Sequence, residues 1–137
     1  MKLLSLLSLA ALTMLASCNL DPPYTIYNNV LIPIDERTVP EIAYVDIPMS
    51  IYAHASVDNG CWSNIRFIFN DNGEHRFDLF ALADFESTGE CPTVIVTADT
   101  TISFKPETVG DHIVTVWFDQ FNYEVDTIRI TEFTPEK

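Results

Sequence analysis

From Asn28 onward, apolar and polar residues alternate with a period of two, the signature of strands that bury one face. Val30, Ile32 and Ile34 alternate along a first strand that stops before Asp35-Glu36-Arg37. Glu41 to Ile47 forms a second extended piece. It is fenced by Pro40 and Pro48, which confines it to a sheet edge because proline donates no ladder hydrogen bond. Ile51, Ala53, Ala55 and Val57 alternate against Tyr52, His54 and Ser56, and Asp58-Asn59-Gly60 then turns the chain. Ile65, Phe67 and Phe69 make the next inward face, opposite Asn64 and Arg66. The Asn-Gly step of Asn70-Asp71-Asn72-Gly73 is a strong hairpin signal. The returning strand carries Phe77, Leu79, Ala81, Ala83 and Phe85 on one face and Asp78 and Asp84 on the other. Phe80 and Leu82 share that second face, so part of it is expected to be covered.

Ser87 to Glu90 loops out to Cys91-Pro92, after which Val94, Val96 and the run Thr100 to Phe104 continue the pattern. Lys105 to Asp111 makes a corner. Ile113 to Phe118 is apolar on both faces, as in the middle of a sheet, and Asp119-Gln120-Phe121-Asn122 closes a hairpin. In the last strand, Tyr123 to Ile130, the apolar parity switches between Val125 and Ile128, which predicts a bulge near Asp126. No stretch of helical period and helical length follows the first 17 residues. Roughly seven to nine short strands at this spacing predict an all-β fold, an antiparallel β-sandwich over residues 28–133.

The head of the chain is patterned differently. Met1-Lys2 precedes an apolar run from Leu3 to Leu15. At about 13 residues it suits the core of a signal peptide and falls short of the roughly 20 that a spanning helix needs. Its end, Leu15-Ala16-Ser17-Cys18, resembles the lipobox of bacterial lipoproteins. The resemblance implies removal of residues 1–17 and acylation of Cys18, palmitate included, which would anchor the mature chain to a membrane. More than one acyl chain gives stable attachment, at about 0.8 kcal/mol per buried CH₂. An ordinary secretory signal with a cysteine near its end is the alternative.

Residues 18–27 contain Asp21-Pro22-Pro23 and no apolar period, which reads as an extended tether. Some Bacteroidota lipoproteins carry an acidic cluster after the cysteine as a surface signal; only Asp21 stands here. Asn19 is not the aspartate that retains many enterobacterial lipoproteins in the inner membrane. The outer membrane is the expected location, with either leaflet open.

With Cys18 assigned to lipid, Cys61 and Cys91 remain, and in an exported domain two such cysteines are expected to pair. Two free thiols or a metal pair are the alternatives. Thr101 to Pro106, with Gly110 to Val116 after it, is similar to the penultimate strands of bacterial immunoglobulin-like domains. That likeness implies an immunoglobulin-like sandwich. His112 stands where such domains usually have a tyrosine, so their tyrosine corner is absent or replaced.

Twenty acidic residues against seven basic ones give a net charge of −13, spread along the chain. A surface of that sign repels nucleic acid and anionic lipid headgroups. Asp58-Asn59-Gly60 and Asp71-Asn72-Gly73-Glu74 are oxygen-rich, but neither continues into an EF-hand loop, and as turns they need no ion. His54, His75 and His112 fall on three different predicted strands and read as surface or corner residues. No Gly-x-Ser-x-Gly context or converging triad supports catalysis, and no cofactor or metal is expected.

Aromatic residues are the stronger lead. Trp117, Phe118, Phe121 and Tyr123 cluster at one predicted hairpin, and Trp62 adjoins Cys61. Trp117, Phe121 and Tyr123 are therefore candidate ligand-binding residues, since aromatic faces take sugars or partner proteins. The alternative is that Trp117 and Phe118 are core and only Phe121 is exposed. Together these features predict a non-catalytic, membrane-anchored module of the bacterial envelope with a protein or glycan partner. A small hydrolase or inhibitor is the competing class.

Overall fold

A computed structural model describes residues 23–134. The segments read as signal peptide, as lipobox with Cys18, and as tether up to residue 22 lie outside the described residues. Nine strands follow in order: β1 (Thr25–Ile32), β2 (Glu36–Thr38), β3 (Ile42–Tyr44), β4 (Met49–Val57), β5 (Trp62–Asp71), β6 (Arg76–Ser87), β7 (Val96–Phe104), β8 (Gly110–Trp117) and β9 (Tyr123–Thr131). Among the described residues there is no helix. β2, β4 and β7 make a three-stranded sheet, and the other six strands make the second sheet.

The period-two residues are the ones that are buried. Ile51, Ala53 and Ala55 of β4 meet Leu79, Ala81 and Ala83 of β6, Val114 and Val116 of β8, and Ile128 and Ile130 of β9 in a single core cluster. Four alanines on these facing strands, Ala53 and Ala55 of β4 and Ala81 and Ala83 of β6, are fully buried, and side chains this small let the two layers approach closely.

β6 organises the larger sheet because it has three partners for two edges. β5 runs antiparallel along one edge, from Trp62↔Phe85 to Asp71↔Phe77. The other edge is shared: β8 pairs with residues Arg76 to Leu79, and β1 with Ala81 to Ser87. β8 runs parallel to β6, and the short β3 runs parallel to β9 at the sheet's end. The sheet is thus mixed rather than purely antiparallel. The reason is connectivity: after β6 the chain crosses to β7 in the other sheet, and it returns through the Lys105–Val109 corner heading the same way. Pro106, fully buried, seats that corner.

Three further expectations need correcting. The first strand starts at Thr25, inside the segment read as tether, and pairs Thr25 with Ser87. Ile26 and Tyr27 are largely exposed there, so burial leaves no alternation for the sequence to show. Val94 is exposed and precedes the strand; β7 is one continuous element from Val96.

No bulge occurs near Asp126, because the β8–β9 register is unbroken from Gly110↔Ile130 to Trp117↔Tyr123. The parity switch has another cause. Glu124 and Asp126 occupy the inner face at this end, and Arg37 reaches from β2 to satisfy both. Its Nη2 lies 2.6 Å from Glu124 Oε2 and its Nε 2.7 Å from Asp126 Oδ2. The Arg37 guanidinium also sits 5.8 Å over the Phe118 ring, and the Asp126 hydrogen bond holds its pKa above the ordinary value.

The bulges lie elsewhere, one on each flank of β6. One is between Tyr27 and Val30 on β1, the other between Ser63 and Arg66 on β5. Each contains an asparagine in the left-handed region, Asn29 (φ 58°) and Asn64 (φ 53°), a conformation that asparagine tolerates better than most residues. Both converge on Asp84 of β6. Its carboxylate accepts from the Asn29 backbone N–H (2.8 Å) and from Asn64 Nδ2 (2.7 Å), and Arg66 bridges Asp84 and the Asn29 side chain. These donors hold the Asp84 pKa below the usual carboxylate range, the Asn29 N–H foremost.

Candidate functional site: the aromatic end of the six-stranded sheet

The three candidate binding residues sit at the β8–β9 hairpin, on two different surfaces. Trp117 points to the outer face of the six-stranded sheet and is half-buried. Its Nε1 donates to Asp78 Oδ1 at 3.1 Å, and its ring lies 4.9 Å from that of Tyr123. Extending the β6–β8 register by one residue sets Trp117 beside Phe80, which in turn pairs with Ile68. A row Ile68–Phe80–Trp117–Tyr123 therefore crosses four strands on a face that no third layer covers among the described residues. Phe118, next in sequence, points the other way and packs against the core. So one of this adjacent pair is core and the other is surface.

Phe121 stands at the tip and is 84% exposed. Three hydrogen bonds brace the tip despite its exposure. Asp119 Oδ1 accepts the backbone N–H groups of Phe121 (2.7 Å) and Asn122 (2.8 Å), and Asp119 Oδ2 accepts Asn122 Nδ2 (2.6 Å). The first cause of the lowered Asp119 pKa is that Asn122 side-chain bond. Because β1 and β8 share one edge of β6, the tip runs beside β1, and an open groove of about 760 Å³ separates them. Tyr27, Asn28 and Asn29 line one wall, and Asp119, Gln120 and Phe121 the other. Trp62, noted beside Cys61, packs edge-on to Phe85 at 5.0 Å, and Phe85 also contacts Tyr27 at 6.0 Å. Cys61 and Cys91 form a disulfide with a Cα–Cα distance of 5.3 Å.

The histidines do not converge as a set. His54 lies near Asp35 (3.8 Å) on the small sheet. His75, in the β5–β6 turn rather than on a strand, stacks flat on His112 at 4.3 Å. His112 is buried, contrary to its reading as a surface or corner residue, and fills the space between Phe77, Phe104 and His75. Its Nδ1 faces the Gly110 carbonyl at 3.3 Å, and His75 Nε2 lies 2.9 Å from Thr108 Oγ1. The turn that carries His75 has three successive residues in the left-handed region, Gly73, Glu74 and His75. It is latched to β8 by the bond from Ile113 N to His75 O (2.8 Å). Among the described residues no cluster of three or more histidine, cysteine or acidic side chains could hold a metal.

Burial pushes the His112 pKa down; the neighbouring His75 adds to this, while Gly110 and Asp71 oppose it. A depressed folded-state value means the unfolded chain binds the proton first. Stability is therefore full above about pH 6.5 and falls as the pH drops from there towards the folded value. Thermal melts between pH 7.5 and 5.5 should show this as a falling Tm that His112→Phe, which keeps a flat ring in place, makes shallower. Equal slopes for the two proteins would remove His112 as the cause.

A scan against protein-family models, a search of curated proteins and a search of solved structures each return no match for this chain.

Proposed function

We propose that this chain is a lipid-anchored, non-catalytic binding module of a bacterial cell envelope, built as an immunoglobulin-like β-sandwich. The observation that carries the binding role is the aromatic display at the β8–β9 hairpin. Exposed Phe121 lines a preformed groove, and exposed Tyr123 continues with Trp117 onto a sheet face that is uncovered among the described residues. Exposed rings on a hydrogen-bonded turn favour a partner, since apolar area left in water is otherwise a liability.

The anchor reading rests on Leu15-Ala16-Ser17-Cys18 behind a short apolar run. The immunoglobulin-like reading is supported by two layers and by the consecutive β8–β9 pair after a buried proline corner. It departs from that family's strand order where β6 lies parallel beside β8. The outer membrane is the compartment we favour.

Replacing Cys18 by Ser should move the protein from the detergent phase to the aqueous phase when extracted cells are phase-separated. A variant that still partitions with detergent would sink the anchor reading. Protease shaving of intact cells expressing a tagged copy then assigns the leaflet, and with it the side on which a partner must be sought.

A further inference from the structure

We propose that the groove between β1 and the β8–β9 tip binds a neutral oligosaccharide, an inference that rests on the binding-module reading and names its ligand. The lining has the composition that sugar recognition requires. Tyr27 on one wall and Phe121 on the other are 58% and 84% exposed, and aromatic faces of this kind stack on the apolar C–H faces of pyranose rings. The exposed amides of Asn28 and Gln120 lie on opposite walls and offer donors and acceptors to sugar hydroxyls, while Asn29, whose Oδ1 accepts from Arg66, adds its side-chain N–H donors.

Charge selects the class of sugar. Among the described residues no lysine, arginine or histidine lines the groove, and the chain as a whole carries −13, so an acidic glycan meets a repelling field there. Nor is the groove built for a cation, because the one carboxylate that lines it among the described residues, Asp119, already accepts three hydrogen bonds from its own turn.

Both walls are also fixed before any ligand arrives. The Asp84 clamp holds the Asn29 bulge of β1, and the Asp119 turn holds Phe121, so little ordering remains to be done on binding. A protein partner would meet a small surface: nine of the described residues line the groove, Ile26, Val30 and Leu31 among them, against the roughly 20–30 a side that a standard interface uses.

The test is an array of neutral and acidic oligosaccharides probed with the full-length lipidated protein in detergent, followed by titration of the best neutral binder. Phe121→Ser should weaken binding about tenfold or more. Gln120→Ala should weaken it measurably, and melting temperatures of both variants should stay with the parent because both side chains are exposed. Binding that survives both substitutions, or that appears only with acidic glycans, overturns the proposal. So does an array without any neutral binder. In that last case a photo-crosslinking side chain at position 121, used on intact cells, separates the two levels of failure. Capture of an envelope protein leaves the binding-module reading standing and removes the sugar; absence of capture removes both.

Discussion

Leu79→Ala should cost about 3 kcal/mol of folding stability, read as a lower urea midpoint with an unchanged denaturant slope. Leu79 is fully buried on the inner face of β6, paired with Phe69 of β5 on one edge and Val116 of β8 on the other. All three elements are held in place by their own ladders, so the site cannot collapse around the lost atoms and a cavity remains. A domain of this size has on the order of 5–15 kcal/mol in total, so the variant should be near the edge of folding at elevated temperature.

The informative control is the next residue. Phe80 is larger than Leu79 but points to the outer face and is only half-buried. Phe80→Ala should therefore cost less than Leu79→Ala, although core phenylalanines normally cost as much as or more than leucines. If Phe80→Ala is the more damaging, the outer face is covered by something outside residues 23–134, and the row Ile68–Phe80–Trp117–Tyr123 is core instead of display.

That contrast also shows what can be read in the sequence. Where one face is buried and the other wet, the period of two is written in the residues, and Ile51–Ala55 and Phe77–Ala83 fall on the core face as the alternation predicts. The Asn70–Gly73 signal likewise marks a real hairpin between β5 and β6, though its turn runs on to His75.

What was illegible involves partners distant in sequence. Glu124 and Asp126 break the last strand's pattern because Arg37, almost 90 residues earlier, reaches them across the layers. Nothing local to Tyr123–Ile130 distinguishes that from a bulge. The bulges that do exist rest on asparagines, which are equally at home in turns, and only the shared acceptor Asp84 reveals them.

The site was legible in its residues and not in its geometry. Trp117, Phe121 and Tyr123 could be singled out because aromatic residues crowd one hairpin. The opposite wall of the groove could not, since Tyr27 falls in the segment that reads as tether, Asn28-Asn29 carry no apolar side chain to mark a face, and the three become a wall only because β1 and β8 share an edge of β6. The His75–His112 stack was hidden for the same reason: a turn and a strand start, 37 residues apart, meet only through the parallel β6–β8 pairing.

Replacing both Cys61 and Cys91 by Ser should cost about 3.5 kcal/mol, or roughly 15 °C in Tm for a domain of this size. The bond spans a separation of 30 residues and so encloses the whole β5–β6 hairpin, which would otherwise sample many more conformations when unfolded. The loss should have a local part as well. Residues 88–95 form no strand, and Val94 and Ile95 are exposed. Two ties fasten this loop to the β4–β5 turn: the disulfide itself and the bond from Gly60 N to Pro92 O at 2.8 Å. Limited proteolysis of the double-serine variant should therefore cut within 88–95 before any global unfolding, at a rate the parent does not show. If the Tm falls without such cleavage, the bond acts on the unfolded chain alone; if neither changes, the cross-link is dispensable. A large loss would also bear on the leader, because a domain that needs this bond must mature where thiols oxidise. Oxidised, the domain should keep this loop in place; reduced, it should lose first the loop beside Trp62 and Phe85, and with it one end of the ring series that leads to Tyr27 and the groove.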